Sequence, residues 1–117
     1  MNKIVEDVVE ELREVRKTLT DVGWCQGYYR AFDDGNENII AYCLSGACNK
    51  IAKHKTYVRL AQVLNEAIKA RHPKYESPLA RRPLEYVMIK FNDAKGRTKE
   101  EVVTVIDDAI ALVEEAK

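Results

Sequence analysis

The chain has 117 residues, of which 46% are hydrophobic, and its 19 Lys and Arg are balanced by 19 Asp and Glu. That length suits a single domain, 1–117, able to bury about two-thirds of its unfolded surface without help from disulfides or metal. Zero net charge argues against sequence-specific DNA binding, which draws on attraction to phosphate. The lack of an eighteen-residue apolar run or of a charged-then-apolar leader argues against a membrane partner and against export.

Asn2 is placed to cap a helix running to about Thr20, with Ile4, Val5, Val8, Val9, Leu12, Val15 and Leu19 as its apolar stripe. Gly23 is its natural stop. The stretch from Gly23 to Lys53 is the most unusual part of the chain, holding the only Trp, all three Cys and four of the five Gly. It reads as two strands and a helix start. Asp33-Asp34-Gly35-Asn36 tolerates positive φ and predicts a hairpin turn. On the first arm Trp24, Gln26, Tyr28 and Arg30 are expected on one face of a strand. The second arm, Ile39 to Leu44, is a nearly continuous apolar run that passes directly into a helix. Ser45-Gly46-Ala47 supplies small residues where that helix must pass close to its neighbour.

A third helix is expected from a Thr56 cap to about Arg71 and ends at Pro73. His72 to Pro83 contains all three prolines and reads as a surface loop carrying Arg81 and Arg82. Leu84 to Phe91 fits either period, and a short helix is the favoured reading. Thr98-Lys99-Glu100-Glu101 has the form of a capping box before a last helix to about Glu115. The fold expected is therefore α+β: an N-terminal helix, one β-hairpin, then three or four packed helices.

Charge is uneven along this order. Residues 1–49 carry five basic and nine acidic side chains, 50–99 thirteen and four, and 100–117 one and six. Either the basic middle is a patch for nucleic acid, a nucleotide or an acidic protein, or oppositely charged helices pack side by side and neutralise each other. The balanced total favours the second.

Three signatures stand in sequence: Gly23-Trp24-x-Gln26-Gly27, Cys43-Leu44-x-Gly46-Ala47, and Phe91-Asn92-Asp93 followed by Arg97-Thr98-x-x-Glu101-Val102. Together they resemble an uncharacterised domain-of-unknown-function family of small proteins from actinobacteria and their phages. The resemblance covers about Leu19 to the end, with Phe91 where Trp is usual and Cys48 where Leu is usual. It implies a phage or mobile-element setting and carries no activity with it.

The candidate chemistry is thin. Cys43, at a predicted helix N-terminus where a thiol pKa is lowered, is the candidate nucleophile. Its possible bases are His54, about three turns along the same predicted helix and out of reach, and His72, which reaches it only if the proline loop folds over the hairpin. A small buried thiol is the alternative reading. Asn92, Asp93 and Arg97 suit either a phosphate- or carboxylate-bearing ligand or the closing of their own loop. Trp24 and Tyr42 suit a core, while Tyr28 beside Arg30 suits stacking on a ligand. An odd cysteine count without Cys-x-x-Cys spacing predicts free thiols in the cytoplasm, and no metal or cofactor is expected. The function expected is a small binding protein for an anionic small molecule or a host macromolecule. Its groove would lie between Gln26, Tyr28 and Arg30 on the hairpin and the Asn92–Arg97 turn, with Trp24 alongside and Arg81 and Arg82 on the rim. The alternative is a cysteine-dependent hydrolase or transferase using Cys43.

Overall fold

Hydrophobic periodicity near 3.6 dominates the chain, and the computed structural model, which describes residues 3–75 and 84–115, is correspondingly helical. Helix α1 spans Lys3–Asp21, strands β1 and β2 span Arg30–Phe32 and Ile39–Tyr42, and helices α2 to α5 span Leu44–Ile51, His54–Arg71, Tyr86–Asn92 and Lys99–Glu115. Among the described residues the fold is α+β in the order expected: one α-helix, one antiparallel hairpin, then four α-helices. Among the described residues no helix is long and apolar enough to cross a membrane.

Helices α1, α3 and α5 pack against one another, and α2 and α4 close the remaining side. Leu12, Leu60, Leu64, Ile68, Met88, Phe91 and Ile106 are fully buried between them. The predicted α1 stripe goes inward from Val8 to Leu19, although Ile4 stays half-exposed. Gly23 closes this helix with φ +148, and its amide bonds back to the Thr18 carbonyl. A side chain there would also collide with the Ile40 carbonyl.

Two local expectations are corrected, and a third is refined in detail. The first arm is not one long strand from Trp24: Gly27, at φ +86, turns the chain, so Trp24, Gln26, Tyr28 and Arg30 do not share a strand face. Instead Trp24 pairs in parallel with Tyr42, while Arg30 pairs with the same Tyr42 in antiparallel. Tyr42 thus lies between the two segments, and the Gln26–Tyr29 crossover passes over the end of β2, where α2 begins. The hairpin turn forms where Asp33-Asp34-Gly35-Asn36 was read. Asp33 and Asn38 close it, Asn36 takes the positive φ, and the Asp33 carboxylate accepts from the Glu37 and Asn38 amides. Finally, Thr56 does not cap α3. Lys53 stands at that position, its amide held by the buried Glu11 carboxylate of α1, and Thr56 Oγ1 donates back to the Lys53 carbonyl. His54 therefore begins α3 rather than extending α2.

Leu84–Phe91 resolves largely as the favoured helix, α4. The Thr98 capping box forms as read. Thr98 Oγ1 accepts from the Glu101 amide at 3.2 Å, and Glu101 Oε1 accepts from the Thr98 amide at 3.0 Å. Arg81 and Arg82 lie outside the described residues.

Candidate functional site

The residues singled out in the sequence separate into two groups. The first is a clasp between the crossover and the end of α4. Asn92 is fully buried, and its Oδ1 accepts from Trp24 Nε1 at 2.6 Å and from the Leu44 amide at 3.0 Å. Its Nδ2 donates to the Cys25 carbonyl and to Asp93 Oδ1, both at 3.0 Å. Asp93 in turn accepts from the Gly27 amide, and Gln26 Nε2 donates to the Asn92 and Ala94 carbonyls, each at 2.9 Å. A buried carboxamide with every lone pair and proton matched is what a buried polar group needs in order not to destabilise the fold. Trp24, Gln26, Asn92 and Asp93 therefore converge, as expected, but upon one another.

Arg97 lies on the far side of the same turn, with its side chain only 7% exposed. Nε donates to the Phe91 carbonyl at 2.8 Å, one terminal nitrogen to Glu101 at 3.2 Å and the other to the Tyr75 hydroxyl at 3.0 Å. The guanidinium also lies 4.0 Å from the centre of the Phe91 ring. The expected groove shared by Arg30 and Arg97 does not form, because all three guanidinium nitrogens are taken up inside the fold.

What the hairpin does present is an open groove of about 700 Å³ between the crossover, β1 and α2. Tyr28, Tyr29 and Phe32 line it with 74%, 51% and 42% of their surfaces exposed. Arg30 and Lys50 line it too, Arg30 lying 5.7 Å from the Phe32 ring centre and Lys50 5.9 Å from that of Tyr42. Among the described residues neither cation is in an ion pair. Among the described residues Glu85 supplies the groove's one carboxylate. Its oxygens accept from Ser45 Oγ at 2.7 Å, Tyr57 at 3.2 Å and Tyr29 at 3.3 Å. The Ser45 bond foremost holds this carboxyl below the usual glutamate range, while the Glu85 charge pushes the Tyr29 hydroxyl up.

Gly46 lets the crossover sit this close to α2, since a β-carbon there would overlap the Tyr29 carbonyl oxygen. The small-residue join read from the sequence has this physical cause. Glu85, Ser45, Tyr57, Phe32 and Lys50 were not foreseen as site residues. Glu85 stands at the margin of a stretch with ambiguous periodicity, and nothing local signals that it meets Ser45 forty residues earlier.

Cys43 caps α2 as its predicted position implies, with Sγ accepting from the Gly46 amide at 3.2 Å. The thiol pKa moves opposite to the expectation. Burial pushes it up, outweighing the amide bond, and the nearby Asp93 charge adds to the rise. A second pocket of about 320 Å³ is lined by Cys43, Asp93, Tyr28, Tyr29, Gly27 and Ile89, and no histidine lines it. His54 begins α3, and His72 packs against Phe91 and Tyr75 beside Arg97. Among the described residues no cluster of three His, Cys, Asp or Glu is placed to hold a metal.

Residues 4–112 match the family described as a family of unknown function, DUF6197, and the chain belongs to that family. No curated protein and no solved structure matches the chain.

Proposed function

We propose that this member of a family of unknown function is a small binding protein whose ligand is anionic and carries a planar or apolar group, held in the groove between the crossover, β1 and α2. One observation carries this reading: three exposed aromatic rings flank Arg30 and Lys50, which are not in ion pairs among the described residues, in one concavity of about 700 Å³. Exposed aromatic surface gathered beside cations suits stacking combined with charge recognition, as in sites for nucleotides or for acidic segments of proteins. Glu85 does not cancel this, because its oxygens already accept three hydroxyl groups, leaving, among the described residues, two cations against one occupied carboxylate. The setting we infer is cytoplasmic and encoded by a phage or mobile element, on the resemblance to small proteins of actinobacteria and their phages. The natural ligand is then a small anionic molecule or an acidic stretch of a host macromolecule.

The competing reading is a thiol enzyme using Cys43. Against it stand a thiol held in its protonated form and a pocket without a histidine to act as base. Rapid alkylation of Cys43 near neutral pH would revive it, whereas slow alkylation is expected of a buried cap.

NMR titration with mononucleotides, aromatic carboxylates and an acidic peptide tests the binding reading. The expected result is saturable shift changes at Tyr28, Tyr29, Phe32 and Lys50 that weaken with added salt. Shifts confined to another surface, or none with any probe, would count against it.

A further inference from the structure

We propose that Cys25 and Cys43 are a reversible disulfide pair, a redox modification site on the inner wall of the Gln26–Tyr29 crossover. The backbone pairing carries the inference. Trp24 and Tyr42 are joined in parallel by bonds from the Tyr42 amide to the Gly23 carbonyl at 2.9 Å and from the Cys25 amide to the Tyr42 carbonyl at 3.1 Å. Cys25 and Cys43 are the next residues on the two segments. Neighbouring strands lie about 4.7–4.9 Å apart, and matching positions share a face. That spacing falls within the range of about 4.4–6.8 Å between disulfide-bonded α-carbons. Cys43 continues the extended backbone of this rung, at φ −82 and ψ 173, which keeps it beside Cys25 as the chain enters α2. The Asn92 carboxamide pins the same rung, since it bonds both the Cys25 carbonyl and the Leu44 amide at 3.0 Å.

The two thiols also lie close enough for the charge of Cys43 to help push the Cys25 thiol up, after burial. Cys25 Sγ donates to the Tyr28 carbonyl at 3.5 Å, and Tyr28 lines the 320 Å³ pocket together with Cys43. Cys25 is partly exposed, so an oxidant reaches it first. Cys48 is fully buried within the core and makes no such pair.

The oxidant is a small-molecule disulfide. Cys25 gives up its proton, and the thiolate attacks one sulfur of the oxidant, expelling a small thiolate that takes up a proton. Cys43 then gives up its proton and attacks Cys25 Sγ, expelling the second small thiolate, which takes up that proton, and closing the protein disulfide. Two protein thiols are oxidised and one small disulfide is reduced to two thiols. Excess reduced thiol reverses both steps. Once closed, the bond ties the crossover to the start of α2 independently of the Asn92 clasp.

The test incubates the folded protein with oxidised glutathione, then denatures it and counts free thiols by maleimide labelling and intact mass. Wild type and Cys48→Ser should each lose two hydrogens and two labels, and peptide mapping should show the Cys25–Cys43 link. Cys25→Ser and Cys43→Ser should form no internal disulfide; serine retains a capping oxygen at position 43, so that variant keeps its helix start. The oxidised wild type should melt at a higher temperature and return to the reduced value with dithiothreitol. Three labels on wild type, a glutathione adduct alone, or a bridge to Cys48 would overturn the proposal.

Discussion

The Asn92 carboxamide makes four hydrogen bonds, to Trp24, Leu44, Cys25 and Asp93, with none of its surface in water. Truncating it leaves three of those partners to find water or go unsatisfied, so Asn92→Ala should destabilise the protein by about 2–4 kcal/mol in urea unfolding. Arg97 is the same kind of residue. Arg97→Lys keeps the charge but cannot reproduce three bonds in a planar fork over Phe91, and a loss of about 1–3 kcal/mol is expected. Of the two roles the sequence allowed Arg97, ligand binding and the closing of its own loop, its bonds fit the second. An unchanged unfolding midpoint in either variant would contradict the assignment. Glu85 adds a pH dependence. Its folded pKa is lowered, chiefly by Ser45, so the stabilisation it confers is fully present above the unfolded glutamate pKa, about 4.3, and is lost as pH falls through the folded value. Wild type should therefore exceed Glu85→Gln in stability near neutral pH, with the gap closing in acid. A gap that does not change with pH would show that the charge is not what matters.

At the scale of elements, Gly46 links the crossover to α2. In Gly46→Ala the new β-carbon must displace the Tyr29 carbonyl, so a loss of at least about 1–3 kcal/mol is expected, together with altered shifts for the Tyr28 and Tyr29 amides. Thr98→Ala acts on α5 alone. It should lower stability by about 1 kcal/mol and leave groove binding unaltered, since the Thr98 side chain bonds to Glu101 and lines no part of the groove. Binding that fell with stability preserved would assign Thr98 to the site. The contrast also shows what a sequence makes legible. The α5 cap is written within four residues and the α1 stripe within five turns, so both could be read locally. The parallel pairing of Trp24 with Tyr42 could not, because it depends on the turn at Gly27 and on Asn92, sixty-eight residues from Trp24. The three signature segments were found, but as separate motifs. Their common purpose, closing one clasp, emerges only once α4 is packed against α2.

Across the whole molecule the charge segregation is partly neutralised between helices, as the balanced total suggested. Arg71–Asp108 and Arg97–Glu101 join the basic middle of the chain to α5, while Arg13–Glu114 and Arg16–Asp107 join α1 to α5. The three pairs other than Arg97–Glu101 are open to water at both partners, so each contributes little to stability. Of the two cations described in the groove, Arg30 was expected there from the sequence and Lys50 was not. Arg30 belongs to the acidic first segment and Lys50 to its boundary, and the fold, not the composition, sets them beside Tyr28 and Phe32. Arg97 thus holds the turn, and Arg30 faces the groove. The most direct test is the dissociation constant of the tightest probe from the titration panel, measured for Arg30→Ala/Lys50→Ala against wild type with their unfolding midpoints matched. Removing the two cations should weaken binding by about 10- to 100-fold, the equivalent of one strong charge-assisted contact, without a change in stability. Equal affinity of the double variant and wild type would contradict the assignment of the groove as the binding site.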